Sequence, residues 1–317
     1  MQVIFIGILA SLFFASTFVL NRAMELAGGS WIWSASLRYL LTLPFLLLIV
    51  AMRKNMGLLI HELRSNLSEW LIWSTIGFGF FYAPICFAAA YGPAWLVAGS
   101  WQITIVAGSL LVPLIYRSSE TTNGVQKIPL RELFISMFIL FGVLLIQVRD
   151  DSNLVINDLI IGILPVTIAA FAYPLGNRKM MEICDGRLDV YQRVLGMTIA
   201  SLPFWLILSA YGLTTVGLPK LDQVLSSFTV AIFSGIIATV LFFYATDKAQ
   251  NNPQTLAMVE ATQAGEIIFT IIGEMIFLAG IAPAGWSLVG IMIVFIGMIA
   301  HSFNFKRSNL TCPENSG

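Results

Sequence analysis

Ten apolar segments, each about 18–25 residues long, divide the 317-residue sequence. They lie at approximately residues 3–20, 31–51, 70–90, 94–116, 130–148, 157–176, 190–211, 224–245, 254–278 and 285–304. An α-helix needs about 20 mostly apolar residues to cross the hydrocarbon core of a bilayer, so each segment is long enough to cross it once. None alternates polar and apolar residues as the strands of a membrane β-barrel do. The pattern predicts an all-α polytopic membrane protein with ten transmembrane helices.

The composition favours lipid surroundings. Charged residues make up 11% of the chain and hydrophobic residues 58%, whereas soluble domains carry about 25% charged residues. Seventeen basic residues balance seventeen acidic ones, so we expect no basic surface and no nucleic-acid partner. The three cysteines and two histidines are scattered and lack the spacing of metal ligands. We therefore expect the lipid bilayer as a partner, and no metal or other cofactor.

The basic residues between the segments predict an orientation. With ten spans, both termini and every second loop share one side, which holds twelve Lys and Arg residues against three on the other. Loops rich in Lys and Arg remain in the cytoplasm. We expect a multi-pass protein of the cytoplasmic membrane, with both termini and Lys127 on the cytoplasmic side and Lys220 outside.

The two halves of the sequence resemble each other. Seven features recur in order at offsets of 155–162 residues. They include Gly7-Ile8-Leu9 with Gly162-Ile163-Leu164, Asn21-Arg22 with Asn177-Arg178, Arg38 with Arg193, Phe81-Tyr82 with Phe243-Tyr244, and Gln102 with Gln263. We expect five-helix repeats over residues 1–150 and 151–306 and a short cytoplasmic tail over 307–317. Because five is odd, the repeats would be inverted in the membrane, as in many secondary transporters.

Together these features resemble the drug/metabolite transporter superfamily, on the strength of Asn21-Arg22, Arg38, Gly265-Glu266 and Gly273-Glu274. Residues 101–103 and 258–266 are similar to its multidrug-resistance efflux transporters. The resemblance extends to about residue 306 and implies secondary active export of drugs or metabolites by alternating access. The proline usual in the superfamily's fourth and ninth helices is absent, and Gln102 and Gln263 occupy those places.

The ninth segment carries a polar stripe. Its members advance by three or four residues and so share a sector of about 120°: Glu260, Gln263, Glu266, Thr270 and Glu274. In one interpretation the stripe lines the substrate path, and the central Glu266 exchanges a proton for a cation. In the other, its acids form structural ion pairs with Arg38 or Arg193. For Glu274, nearer the external end, we expect a structural role.

The fourth segment provides the corresponding face of the first half, with Trp95 and Gln102 on one side and no acid. Trp101 and Trp95 could stack on a flat or cationic substrate, or act as packing and interfacial anchors. Tyr82 and Tyr244, in the third and eighth segments, are further candidates for lining a cavity.

Two arginines and two asparagines occupy matched places in the halves. Arg38 and Arg193 could bind an anionic substrate group or tie helices together, and their duplication favours a scaffold role in both halves. Asn21 and Asn177 close the first and sixth segments, where caps and interhelical hydrogen bonds are the simplest roles.

The leading hypothesis is a proton-coupled exporter of small organic molecules. Two fused halves can form the whole site, which makes a monomer plausible, but the sequence does not give the oligomeric state. An uncoupled or exchange-type carrier of metabolites or amino acids is the first alternative. A membrane-embedded lipid-modifying enzyme is the second, but the dense polar set runs through the membrane centre rather than near one interface. The sequence contains no nucleotide-binding loop, which excludes an ATP-driven pump for this chain by itself.

Overall fold

The computed structural model describes residues 2–53, 56–115, 130–146, 156–249, 255–256, 258–259, 262–280 and 282–308, and among these it contains no β-strand. The helices are α1 (Gln2–Leu26), α2 (Trp31–Met52), α3 (Met56–Ser65), α4 (Leu67–Ser74), α5 (Phe80–Tyr91), α6 (Ala94–Trp101), α7 (Ile103–Ile115), α8 (Leu130–Ile146), α9 (Ile156–Cys184), α10 (Val190–Thr215), α11 (Leu221–Val230), α12 (Thr239–Ala249), α13 (Gly265–Phe277) and α14 (Gly285–Ser308). The predicted all-α class is confirmed.

Five helical stretches within the described residues are long and apolar enough to cross a bilayer. They are Gln2–Leu26, Trp31–Met52, Leu67–Tyr91, Val190–Thr215 and Leu221–Ala249. Shorter apolar helices cover Ala94–Gly108, Met137–Ile146 and Gly285–Gly297.

Local hydrogen bonds fix where two of the long helices begin. The Ser30 side chain accepts a hydrogen bond from the backbone N–H of Ile32 and caps α2. Asp189 and Gln192 form a reciprocal capping box at the start of α10. Such caps satisfy N–H groups that have no partner inside the helix. They explain why the helices start at 31 and 190, as the apolar pattern predicted.

Four predicted segments are interrupted by residues that are not α-helical. One π-helical stretch, Thr75–Gly79, separates α4 from α5, and another, Ala231–Ala238, separates α11 from α12. Gln102 separates α6 from α7. A 3₁₀ turn, Thr262–Ala264, precedes α13. Such interruptions leave backbone groups outside the regular α-helical hydrogen-bond ladder, and they often occur at functional sites.

The first helix of each half packs against helices of the other half. The helices α5 and α7 pack against α9, and α12 and α13 pack against α1. Two further pairs join the halves, α2 with α10 and α8 with α14. This packing brings residues of α1, α2, α5, α9 and α13 together at the centre of the protein, where the polar side chains described next are buried.

Candidate functional site

Glu266 lies on the wall of a buried chamber formed by α1, α5, α6, α9, α13 and the π-helical stretch at Ala231–Ala238. The chamber has a volume of about 310 Å³, counting the space at its open side, and is lined by Phe14, Thr17, Phe18, Phe81, Ile85, Trp101, Tyr173, Ser234, Gln263 and Glu266. We call it the Glu266 chamber. Its wall is therefore mainly aromatic, with one carboxyl group, one amide and a few hydroxyl groups.

A second chamber lies beside it and contains Arg38. It has a volume of about 320 Å³, counting the space at its open side, and is lined by Phe14, Arg38, Tyr39, Thr42, Phe78, Phe81, Tyr173, Val194, Thr198, Gly235 and Thr239. We call it the Arg38 chamber. The two chambers share Phe14, Phe81 and Tyr173. Each chamber has room for about one water molecule in this conformation.

The Glu266 side chain is buried and has no counter-ion among the residues that the structure describes. It lies in the first turn of α13 and is 1% exposed. Among the described residues, none forms an ion pair or a side-chain hydrogen bond with it. The hydroxyl groups of Thr17 and Tyr173, on the same chamber wall, also have no hydrogen-bond partner in the described part of the chain. A buried carboxylate is costly unless a positive charge or hydrogen-bond donors compensate it.

Arg38 is 2% exposed and contacts no carboxylate among the described residues. Its Nη2 atom donates a hydrogen bond to Ser234 Oγ at 3.0 Å. The guanidinium lies over the Tyr82 ring, with Cζ 4.1 Å from the ring centroid. The Nε and Nη1 atoms are buried and have no partner in the described part of the chain. Ser234 lines the Glu266 chamber and is hydrogen-bonded to the arginine of the Arg38 chamber.

Arg193 differs from Arg38 in having an acidic partner. Its Nη1 atom donates to Asp247 Oδ1 at 2.7 Å, and its guanidinium lies 4.8 Å from the centre of the Phe243 ring. Arg193 is 4% exposed and Asp247 is 24% exposed. The structure thus places a structural ion pair at Arg193, and it does not pair either arginine with Glu266.

Glu274 lies in α13 with Glu266 but contacts a different part of the protein. Its carboxylate accepts hydrogen bonds from the backbone N–H groups of Ala94 at 3.2 Å and Trp95 at 3.0 Å. These groups begin α6, where N–H donors lack partners within the helix. The contact ties the ninth segment to the fourth. Trp95 itself is only partly buried and lines neither chamber.

The two matched glutamines lie close together. Gln102 is fully buried at the junction of α6 and α7, and its Nε2 atom donates to Ala98 O at 3.0 Å and to Gln263 O at 3.4 Å. Gln263 lines the Glu266 chamber, as does Trp101. The Trp101 ring lies 5.1 Å from that of Phe81, centre to centre. The structure therefore gathers three predicted path residues, Trp101, Gln263 and Glu266, in one chamber. Glu260 lies outside the described residues.

The remaining candidates have different surroundings. Asn21 is buried and donates from Nδ2 to the Tyr82 hydroxyl at 3.2 Å and to Cys86 Sγ at 3.3 Å. Asn177 is also buried, and its Oδ1 atom has no partner in the described part of the chain. Tyr244 is 42% exposed and lies near Lys248, away from both chambers. Asn21 thus joins α1 to α5 as an interhelical contact.

Sequence reasoning missed several chamber residues. Phe14, Thr17 and Phe18 line the Glu266 chamber from α1, and Ser234 lines it from a π-helical stretch. Nothing in the sequence distinguishes these residues from the other apolar and hydroxyl residues of their segments. Tyr173 could have been noticed, because a phenol in the apolar middle of a span needs a polar partner or a cavity.

Comparison with known families decides what kind of protein carries this site. The model of the EmrE family, described as "Putative multidrug resistance efflux transporter", matches residues 1–307. The chain belongs to the EmrE family. Its membership confirms the resemblance inferred from the sequence, and it makes the chain a multi-pass membrane protein of a transporter family. The EmrE family consists of membrane carriers, which favours transport over the lipid-modifying enzyme considered above.

The chain is also similar to two curated proteins and to one solved structure. The EmrE-family chain is 58% identical over 307 residues to "Uncharacterized protein YjlA" of Bacillus subtilis (strain 168), covering 96% of this chain and 95% of that protein. It is 50% identical over 279 residues to "Uncharacterized 42.1 kDa protein in intracellular alkaline protease 3'region" of Shouchella clausii, covering 87% and 73% respectively. A crystal structure with 15% sequence identity covers 97% of this chain and 98% of its own, with a TM-score of 0.65, so it shares the fold.

Proposed function

We propose that this protein is a secondary active exporter of small, positively charged organic molecules, driven by exchange for a proton at Glu266. The observation that carries the proposal is the burial of Glu266 in an aromatic chamber without a counter-ion among the described residues. Family membership supports a transporter, and the chemistry of this carboxyl group supports the coupling.

The exchange follows from the cost of a buried charge. With the chamber empty, an ionised Glu266 would lack both water and a partner, so the protonated form is favoured. An organic cation in the chamber favours the carboxylate, and the proton then leaves to solvent. The aromatic rings of Phe81 and Trp101 would contact the ligand's apolar part and its positive charge. Because one group holds either the proton or the cation, the two move in opposite directions.

Contacts at both ends of the α2–α10 pair support alternating access between two halves. At one end, Trp33 Nε1 donates to Gly217 O at 2.9 Å, and Gln223 Nε2 donates to Ser30 O at 2.7 Å. At the other end, Arg187 forms an ion pair with Glu62 at 3.0 Å. Each contact joins residues 1–150 to residues 151–306. Opening one end while the other stays closed would expose the chambers to one side at a time.

The matched packing supports an inverted repeat of two five-helix halves. The contacts of α5 and α7 with α9 have counterparts in those of α12 and α13 with α1. The halves would be related by a pseudo-two-fold axis in the membrane plane. We further propose the cytoplasmic membrane as the location, with both termini in the cytoplasm, from the excess of Lys and Arg in the loops on that side.

The test is gradient-driven transport in proteoliposomes. Purified protein would be reconstituted and given an acidic lumen, and uptake of a panel of radiolabelled quaternary ammonium ions would be measured, because these carry no proton of their own. We expect at least one cation to accumulate, and accumulation to stop when an ionophore removes the gradient. Glu266→Gln should abolish accumulation, whereas the matched control Glu274→Gln, on the same helix, should retain it. Uptake in the wild type without proton movement would instead support the uncoupled carrier.

A further inference from the structure

We infer that the Arg38 and Glu266 chambers form one binding site for a zwitterion, whose anionic group contacts Arg38 and whose cationic group contacts Glu266. The inference rests on the proposed function for the Glu266 end and adds a second recognition element. It adds to the proposed cationic substrates small molecules that carry both an ammonium and a carboxylate group.

The first support is the state of the Arg38 side chain. It is 2% exposed, yet its Nε and Nη1 atoms have no partner in the described part of the chain. Ser234 supplies one neutral acceptor, and the Tyr82 ring covers one face. A buried guanidinium is costly without a negative charge and acceptors for its N–H groups. The planar fork of N–H donors matches a carboxylate.

The second support is the contrast with Arg193, which holds the matched place in the second half. Both arginines have two buried N–H groups without a partner among the described residues. Arg193, however, has its charge compensated by Asp247 at 2.7 Å. Residue 85, at the offset of 162 that relates Phe81-Tyr82 to Phe243-Tyr244, is Ile85 rather than an acid. The described residues therefore supply an anion to Arg193 and none to Arg38, whose anion we assign to a ligand.

The third support is that the two chambers adjoin each other. Phe14, Phe81 and Tyr173 line both, and Ser234 lines the Glu266 chamber while accepting a hydrogen bond from Arg38. In a conformation wider than this one, an apolar ligand body would lie against the three rings with one charged end near Arg38 and the other near Glu266. Arg38 and Glu266 have opposite charges when ionised and do not pair with each other. A zwitterion gives each of them a partner.

The test compares matched ligands that differ only in a carboxylate group. The pairs are phenethylamine and phenylalanine, tryptamine and tryptophan, para-methylbenzylamine and para-aminomethylbenzoate, and hexylamine and ε-aminocaproate. Binding of each compound to the purified full-length protein in detergent would be measured by calorimetry or with radiolabelled ligand. Wild type, Arg38→Gln and Arg38→Lys would be compared, and thermal unfolding would be recorded for each variant.

We expect at least one zwitterion to bind wild type about tenfold or more tightly than its amine, the size typical of a charge-assisted hydrogen bond. Arg38→Gln should abolish that preference while the amine still binds. Arg38→Lys, which keeps the charge but not the fork of donors, should retain part of it. The inference is overturned if every amine binds as tightly as its zwitterion, if no compound binds, or if the preference survives Arg38→Gln. It is also overturned if neither variant folds, since Arg38 would then belong to the scaffold.

These outcomes are separable from a failure of the proposed function. Amines that bind without a carboxylate preference, together with proton-coupled uptake that needs Glu266, would refute the Arg38 subsite and leave the exporter standing. Zwitterion binding that depends on Arg38, without proton-coupled uptake of any ligand, would refute the coupling and retain the binding site.

Discussion

Arg193 and Asp247 form an ion pair, with 2.7 Å between Nη1 and Oδ1, and the Arg193 side chain is only 4% exposed. The matched arginine of the first half, Arg38, has Ser234 Oγ as its partner instead. Two residues that the sequence places at equivalent points thus have different electrostatic surroundings. We interpret Arg193 as part of the scaffold and Arg38 as part of the binding site.

Removing Asp247 should destabilise the protein. Asp247→Ala leaves the buried Arg193 charge without its partner, and the loss for a fully buried pair is about 3–5 kcal/mol. Because Asp247 is 24% exposed, water will partly solvate the Arg193 charge in the variant. We therefore expect the free energy of unfolding to fall by about 1–3 kcal/mol. Thermal unfolding in detergent measures it. Glu182→Ala, which breaks the exposed pair between Lys179 and Glu182, is the control and should change stability by less than about 1 kcal/mol. Equal effects of the two variants would contradict the scaffold role.

The contact between α9 and the π-helical stretch Thr75–Gly79 depends on two glycines. A Cβ atom on Gly176 would overlap the Cα atom of Gly77, and so backbone rather than a flexible side chain would have to move. We expect Gly176→Ala to lower stability by about 1–3 kcal/mol, as overpacking does, and to reduce the yield of folded protein. Gly57→Ala, where a Cβ meets nothing within 4 Å, is the control and should be neutral or slightly stabilising. A folded, fully stable Gly176→Ala protein would contradict the prediction, because the two backbones would then have moved apart without a loss of stability.

The Glu274 carboxylate should contribute to stability rather than to coupling. Glu274→Ala removes two acceptors from the start of α6, and loss of a helix cap costs about 0.5–2 kcal/mol. Glu274→Gln keeps an acceptor oxygen and should lose less. Unfolding temperature and gradient-driven transport would be measured for both variants. Loss of transport in a stable Glu274→Gln protein would assign this residue to the transport path.

The orientation can be tested by cysteine labelling in intact cells. We expect a membrane-impermeant maleimide to label Lys220→Cys and not Lys127→Cys until the membrane is permeabilised, following the distribution of basic residues. The chain with its natural cysteines, of which Cys86 and Cys184 are buried, provides the background signal. Labelling of position 127 in intact cells would reverse the topology.

The sequence predicts the five long apolar helices of the described residues, because lipid imposes a minimum length on each apolar run. The predicted starts at 31 and 190 match α2 and α10, where Ser30 and Asp189 act as caps. It also placed Glu266 and Gln263 on one face, and both line one chamber. Hydropathy does not register the junction at Gln102 or the π-helical stretches, because the flanking residues stay apolar. The predicted stripe is therefore divided by the 3₁₀ turn, with Glu274 bonded to α6.

The surroundings of the charged residues could not be read from the sequence. The partner of Arg193 is Asp247, 54 positions away, and the partner of Arg38 is Ser234, 196 positions away. Periodicity reports which face of a helix a residue occupies, not which helix that face meets. For the same reason, the α1 residues Phe14 and Thr17 could not be assigned to the chamber before the packing of α1 on α13 was known.

The central claim, that Glu266 exchanges a proton for the ligand, is tested most directly by counting protons. A quaternary ammonium ligand selected in the transport screen would be added to purified protein in weakly buffered detergent solution containing a pH dye. The account predicts release of about one proton per bound ligand in wild type and in Glu274→Gln, and none in Glu266→Gln. Because binding releases a proton, ligand affinity should fall as the pH falls, by up to about tenfold per pH unit. Equal proton release by wild type and a folded Glu266→Gln protein would contradict the account.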